Sequence, residues 1–523
     1  MIIILMSLKL SSVSNAYDNT ITHRKITERA MPYSTLDNFL KQNLGIVSGF
    51  NEMINGQKII GWLSNGSDYE DTPMCRASNH FHNPLPLLTW SQSYVTDQPW
   101  WIAAWCSDWT PYYSNITWAT GYLSPAPVGA KASFTQDPEH TPQNWDKARQ
   151  YYYEALTGTN SRSREISLGR TFLTVGQIMH LLEDMAVPAH TRNDFTSHLI
   201  FRGDQLLPIQ PFEYYVKAHP ELVMGATPAF PSFENITLTN FWDTDRYNGT
   251  NPSTDLSVGL AEFTNANYFS DFTIPNNSPT AEHTFPYPAV NSTDYQICYD
   301  YAPTSEDYPW LLRKYVSRKS RGGCPGITPE RKADHFAAVS PLYSENADIS
   351  TRELWLDDNV HNTYAKELLP RAVGYSAGLL NYFFRGELGV THVPGGLKVK
   401  NLSAEAMASY VDPATNNTVG TIGVYYDNTA HERQSLASYN LTTPLEPSQG
   451  ITIFFTPPTD NVAPLKYIVV FRGKLGNEEG AVIGKVTLPP PVYYVKTVNG
   501  VDNIYKISSD GSNGTAVYEN NLG

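Results

Sequence analysis

The sequence predicts a multidomain chain in which a mainly α-helical domain is followed by a small antiparallel β-sandwich. Three observations predict it. The 523 residues exceed what one core accommodates, because single cores stop growing near ~250–300 residues. Apolar residues recur at three- and four-residue spacing in long segments before residue 390. After Gly395 the pattern changes to short runs of β-branched and aromatic residues separated by turn residues. Hydrophobic residues make up 41% and aromatics 12% of the chain, including 33 Tyr and 11 Trp, enough to bury cores and to exclude a disordered protein.

Helices are expected over Thr35 to Leu44, Asn144 to Leu156, Arg164 to Ala186 and His361 to Phe384. In the third, Phe172, Val175, Met179, Leu182 and Met185 line one stripe, and Pro188 stops the helix. Two stretches, Leu85 to His140 and Pro220 to Pro325, lack a regular period; loops this long tend to form walls or lids. The first contains Trp90, Trp100, Trp101, Trp105, Trp109 and Trp118, readable either as a loop packed by its own side chains or as a rim that meets substrate. Strands are expected at Leu397 to Leu402, Thr421 to Tyr426, Ile451 to Thr456, Tyr467 to Arg472 and Ala481 to Val486.

The expected division is a signal peptide at 1–16, a helical domain at 17–390, a β-sandwich at 396–488, and a Pro-rich linker with a hairpin tail at 489–523. An apolar run from Ile2 followed by Ser14, Asn15 and Ala16 fits cleavage after Ala16, although no basic n-region precedes it; the alternative is a buried N-terminal strand. Export, to an extracellular or periplasmic location, is the expectation. No later run reaches the ~18 apolar residues that span a bilayer. Cys75, Cys106, Cys298 and Cys324 form no CxxC pair, which argues against a thiolate metal site. In an exported chain the economical pairing is Cys75 with Cys106 and Cys298 with Cys324; the alternative is four free thiols. The net charge of −14 disfavours non-specific attraction to polyanions and gives no reason to expect duplex nucleic acid as a partner. No obligate protein partner is evident.

The strongest chemical signal is His180-Leu-Leu-Glu-Asp184-Met-Ala-Val-Pro-Ala-His190. Residues four apart on a helix share a face, so His180 and Asp184 can reach one ion, and the turn at Pro188 can bring His190 back. Imidazole nitrogen and carboxylate oxygen are ligand types that zinc accepts at ~2.0–2.2 Å. His23, Asp68-Tyr69-Glu70 and Asn79-His80-Phe81-His82-Asn83-Pro84 supply further candidates.

Together these residues resemble the zinc-dependent phospholipase C and S1/P1 nuclease superfamily, in its bacterial phospholipase C-like branch, over roughly residues 17 to 216. The resemblance implies a helical fold holding up to three Zn2+ ions in a cleft. It implies that Asp68, His80 and His180 hold one zinc, that His190 with later ligands holds a second and His23 a third, and that Asp184 bridges the first and third. His82 would replace a family tyrosine, and Tyr17, if exposed by cleavage, would supply a terminal amine ligand. The second site departs from the family's His-x3-Glu: Glu213 matches, but four residues earlier stands Ile209, so His198 either serves from a looped insertion or is a solvated loop histidine. Asp68 is the expected catalytic carboxylate, assisting a metal-activated water.

The implied function is a secreted zinc-dependent phosphodiesterase, phospholipase C-type in its cleavage of phospholipids and in possible contact with a membrane surface. Two alternatives stand beside it: a single-strand nuclease using the aromatic loop to stack bases, and an exported binding protein that keeps the fold without catalysis. The remaining histidines, among them His361, are expected to be structural.

Overall fold

The structure, a computed structural model, describes residues 19–85, 106–107, 112–123, 131–134, 141–195, 197, 202–203, 208–252, 255–274, 285–290, 293–301, 312–321, 334–339, 354–458, 466–487, 493–498, 501–506 and 515–518. Its principal helices are α1 (Arg24–Ala30), α2 (Leu36–Asn43), α3 (Ile59–Tyr69), α4 (Asn115–Thr120), α5 (Trp145–Thr157), α6 (Ser161–Glu183), α7 (Pro188–Thr191), α8 (Phe212–Ala218), α9 (Leu260–Asn267) and α10 (Asp358–Phe383). Among the described residues no helix is long and apolar enough to cross a membrane.

The chain divides into two compact units, the first built from Met1–Ser34, Leu63–Trp145 and Leu173–Leu380, the second from Thr35–Trp62, Asp146–Phe172 and Asn381–Gly523. The sequence placed all the helices in one linear domain; here the segments around α2 and α5 group with the C-terminal sheets instead.

In the first unit the apolar stripe of α6 is fully buried at Phe172, Val175, Met179, Leu182 and Met185, where Phe172 is the last residue of the second unit's share of the helix. Two glycines let α3 and α6 touch backbone to backbone. A Cβ on Gly66 would lie 2.0 Å from the Leu173 carbonyl oxygen, and one on Gly176 would lie 2.1 Å from that of Leu63. Only glycine permits this approach.

The first unit also holds a four-stranded antiparallel sheet in the order β1 (Tyr295–Tyr301), β2 (Leu312–Arg318), β3 (Ala337–Val339) and β4 (Leu354–Trp355). Part of it falls in the stretch that the sequence read as aperiodic. The reason is that β2 buries Arg313 and Arg318 along with Tyr315 and Val316, neutralising the arginines with Asp357 at 3.4 Å and Asp334 at 2.8 Å. Paired arginines can be buried, but they erase the alternation by which a strand is recognised.

The second unit contains a three-stranded sheet of β5 (Leu388–Val393), β6 (Gly396–Asn401) and β10 (Gly450–Phe454), and a five-stranded sheet of β7 (Met407–Ala408), β8 (Thr421–Asp427), β9 (Arg433–Asn440), β11 (Tyr467–Leu475) and β12 (Glu478–Thr487). Leu397, Val399 and Ile453 of the smaller sheet share one buried core with Ile422, Val424, Val469, Phe471 and Ile483 of the larger, which is a sandwich. All five strands expected after Gly395 form. The tail is a three-stranded antiparallel sheet, Tyr493–Val498, Val501–Lys506 and Thr515–Tyr518, where a two-stranded hairpin was expected.

Candidate metal centre

Four short segments deliver the site: His23 ends the helical turn before α1, and the other three are held by hydrogen bonds before any ion is considered. The helix α6 ends at Glu183, a 3-10 turn covers Asp184–Ala186, and Pro188 opens α7 at its first position, where a missing N–H costs nothing. That turn carries His190 back toward His180. The stretch 79–84, which leaves a 3-10 helix at Asn79, is pinned along its length: His82 N–H donates to the His190 carbonyl, Asn115 N–H to that of Phe81, and Tyr113 N–H to the Asn79 side chain. Glu70, buried just after α3, accepts from Arg76, Trp118 Nε1 and Gln177, and so fixes the chain at Asp71.

His23, Asp71, His80, His180 and Asp184 converge. Ligand atoms of His23, His180 and Asp184 all lie within 4.8 Å of one another, as do those of Asp71, His80 and His180, and every one of these residues is buried. Asp184 stands between the groups, with Oδ1 3.4 Å from His23 Nε2, and Oδ2 3.0 Å from His80 Nδ1 and 3.5 Å from His180 Nε2. Asp71 Oδ1 lies 3.4 Å from His80 Nδ1 and 3.7 Å from His180 Nε2. The rings of His23 and His180 stack with centroids 3.7 Å apart.

Three of the imidazoles donate Nδ1–H to an oxygen and turn Nε2 the other way. His180 donates to the Ser67 carbonyl at 2.6 Å, His190 to the His80 carbonyl at 2.9 Å, and His23 to the Glu183 carboxylate at 2.9 Å. Such partners select the tautomer that leaves Nε2 able to bind a metal. The close approach of α3 and α6 at Gly66 and Gly176 is what carries the Ser67 carbonyl to His180. His190 Nε2 lies 3.5 Å from Glu213 Oε1, forming a second station beside the first, and Phe81 stacks on the His190 ring at 4.5 Å.

The electrostatics of this cluster call for a cation. Burial pushes the Asp184 carboxyl well above its usual range, and Asp71, Glu213, Glu183 and Glu70 push it the same way. Burial holds His23 and His80 well below the ordinary imidazole value and takes His180 down to about 3, so these rings are neutral bases. Within the described residues neither oxygen of Asp184 and not Nε2 of His80 makes a hydrogen bond. Buried acids facing acids, neutral imidazoles and polar atoms without hydrogen bonds together fit a divalent ion bound by nitrogen and oxygen.

Other expected site residues fall elsewhere. Asp68, the expected catalytic carboxylate, lies apart from the cluster, part-exposed and 3.5 Å from Arg24 Nη1. Asp68 is still within α3 and shares its side with Arg24, whereas the chain leaves the helix after Tyr69 and turns Asp71 inward. His82 points to Asp243, 3.1 Å away. Tyr17 and His198 lie outside the described residues, as do all of the six tryptophans except Trp118, which is buried against Glu70.

Sequence reasoning left Asp71 and Glu183 unassigned and expected His361 to be structural. His361 is buried against Phe212 and Tyr215 and borders a cavity of about 20 Å³ together with Glu213 and Asp271. Burial takes its imidazole down to about 3, with Glu213 opposing.

Cys75 and Cys106 form a disulfide with Cα atoms 5.6 Å apart, and Cys298 is also disulfide-bonded. Its expected partner Cys324 lies outside the described residues.

No family model and no curated protein matches this chain. Among solved structures, the alpha toxin from Clostridium absonum matches with 11% identity and a TM-score of 0.22, covering 97% of this chain and 100% of that one. A Clostridium perfringens alpha-toxin isolated from avian strain SWCP matches with 10% identity and a TM-score of 0.20, covering 91% of this chain and 99% of that one. Likeness this slight leaves the reading of the site to its own geometry.

Proposed function

We propose that this chain is a secreted, zinc-dependent phosphodiesterase with phospholipase C-type activity on phospholipids. The observation that carries the proposal is the convergence of His23, Asp71, His80, His180 and Asp184, from positions spread over more than 160 residues, into one buried cluster with two overlapping ligand triples. His23, His180 and Asp184 would hold one ion and Asp71, His80 and His180 another, with Asp184 reaching both, and His190 with Glu213 would contribute to a third. Zinc bound by such ligands supplies Lewis acidity, drawing charge from phosphoryl oxygens and lowering the pKa of water toward ~7. The chain's residues do the rest. Asp71 takes the role first assigned to Asp68, because a carboxylate at the edge of the cluster can ligate or accept a proton from the attacking water. The anchored histidines hold Nε2 in place, so no reorganisation is needed as charge develops. No side-chain nucleophile is required.

The disulfide-bonded cysteines support export, since such bonds persist in oxidising compartments, and they remove Cys75, Cys106 and Cys298 as metal ligands. The test is to assay zinc-loaded protein on phosphatidylcholine vesicles and on single-stranded DNA. Expected is lipid hydrolysis that a chelator abolishes and zinc restores. Turnover of DNA alone would replace the lipase by a nuclease, and metal retention without hydrolysis of either would make the chain a binding protein.

A further inference from the structure

We infer that Glu183 is a positioning residue for this metal centre, acting through His23; the inference rests on the metal-centre reading above. Glu183 is fully buried, and its Oε2 accepts from His23 Nδ1–H at 2.9 Å. Its Oε1 accepts from Thr27 Oγ1 at 3.0 Å and from Ser376 Oγ at 3.3 Å. Three elements therefore converge on one carboxylate: α1 with the residue before it, the last turn of α6, and α10. Thr27 follows His23 by four residues along a continuous helical turn, so both reach Glu183 from the same face.

A merely structural role is a poor account of this arrangement. The three donors to Glu183 are an imidazole and two hydroxyls, and no lysine or arginine contributes to its electrostatic environment. The pairing is directional: by accepting Nδ1–H, the Glu183 carboxyl fixes the tautomer of His23 and orients the ring so that Nε2 faces Asp184. Glu183 and Asp184 thus act on the two sides of one imidazole from adjacent positions in the sequence. The first positions it and the second meets an ion with it.

The experiment compares full-length wild type, Glu183→Gln, His23→Ala and the double variant. It measures zinc content, zinc affinity by chelator competition, and the visible absorption spectrum after cobalt substitution. Expected is a ~10–100-fold loss of affinity in Glu183→Gln with altered cobalt bands, and no further loss when His23 is already alanine. Unchanged affinity and cobalt spectrum in Glu183→Gln, or losses that simply add in the double variant, would overturn the inference. Should Glu183→Gln fail to fold, Thr27→Val combined with Ser376→Ala loosens the carboxylate without removing it; weaker zinc binding is then expected, and unchanged binding overturns the role. A wild-type chain that binds no zinc overturns the metal centre itself, an outcome distinct from wild type and Glu183→Gln binding zinc equally.

Discussion

Two of the chain's buried charge clusters, one in each unit, are built in opposite ways. In the second unit Glu478 is enclosed by Arg149 and Arg385, which donate to both of its oxygens, and Arg385 also reaches Glu405. Burial alone would raise the Glu478 carboxyl, but the two guanidinium groups outweigh it and hold the group below its usual range. In the first unit Asp184 is buried among other acids and neutral imidazoles, and burial, Asp71, Glu213, Glu183 and Glu70 all push its carboxyl up. One cluster is complete within the polypeptide, because the sequence itself supplies the counter-charge. The other gathers histidines and aspartates into two groups that could hold a metal ion. Burial of an acid is therefore no sign of function by itself; what distinguishes the two clusters is their partners, guanidinium groups around Glu478 and imidazoles and a second carboxylate around Asp184.

The sharpest way to break that comparison is to neutralise each acid in turn. Asp184→Asn should remove at least one zinc and lower hydrolysis by ~100-fold or more, since on the proposed reading it would take away a carboxylate that reaches both ions. In the metal-free chain the same change should leave stability unchanged or raise it, because it relieves repulsion among buried acids. Unchanged zinc content by elemental analysis would remove Asp184 from the centre. Glu478→Gln should do the reverse, destabilising the chain by about 3–5 kcal/mol through two arginines left with a neutral partner, while zinc content stays the same. A denaturant midpoint equal to wild type would show that this cluster is not the closed ion network described.

A smaller effect tests how the first cluster is positioned. Gly176→Ala places a methyl group 2.1 Å from the Leu63 carbonyl oxygen, so α3 and α6 must separate. Overpacking of this kind costs about 1–3 kcal/mol. Because the displaced segment includes Ser67, whose carbonyl orients His180, zinc affinity should fall along with the melting temperature. A loss of stability with unaltered affinity would separate the helix contact from the site.

Much of this was legible in the sequence, and the boundary of legibility has a physical cause. The helix carrying His180 and Asp184 was readable because its apolar stripe follows the helical period, and the turn to His190 because proline punctuates it. The strands after Gly395 were readable for the same reason, since one face of each is apolar. Asp71 was missed in favour of Asp68 because both are acids near the end of one helix, and which of them faces the core depends on where the last turn unwinds. Glu183 was missed because a buried carboxylate looks like a surface one until its partners, Thr27 and Ser376, are known from residues more than 150 positions away. The strand β2 was missed because buried arginines read as polar.

The least expected effect, yet the cleanest in sign, is the pH dependence of the second cluster. Glu478 has its folded value held below the ordinary one by Arg149 and Arg385, so it contributes stability that is fully present above the unfolded carboxyl value of roughly 4.3 and is lost as pH falls through the lower folded value. At neutral pH wild type should therefore exceed Glu478→Gln by the full cost of the broken network. As pH drops below about 4 the wild-type carboxyl takes up a proton, comes to resemble the glutamine, and the gap between the two chains should close. Denaturant titrations of both proteins at neutral and acidic pH measure that gap. If it stays constant with pH, the carboxyl is not ionised between the arginines, and the contrast with Asp184 would have to rest on geometry alone.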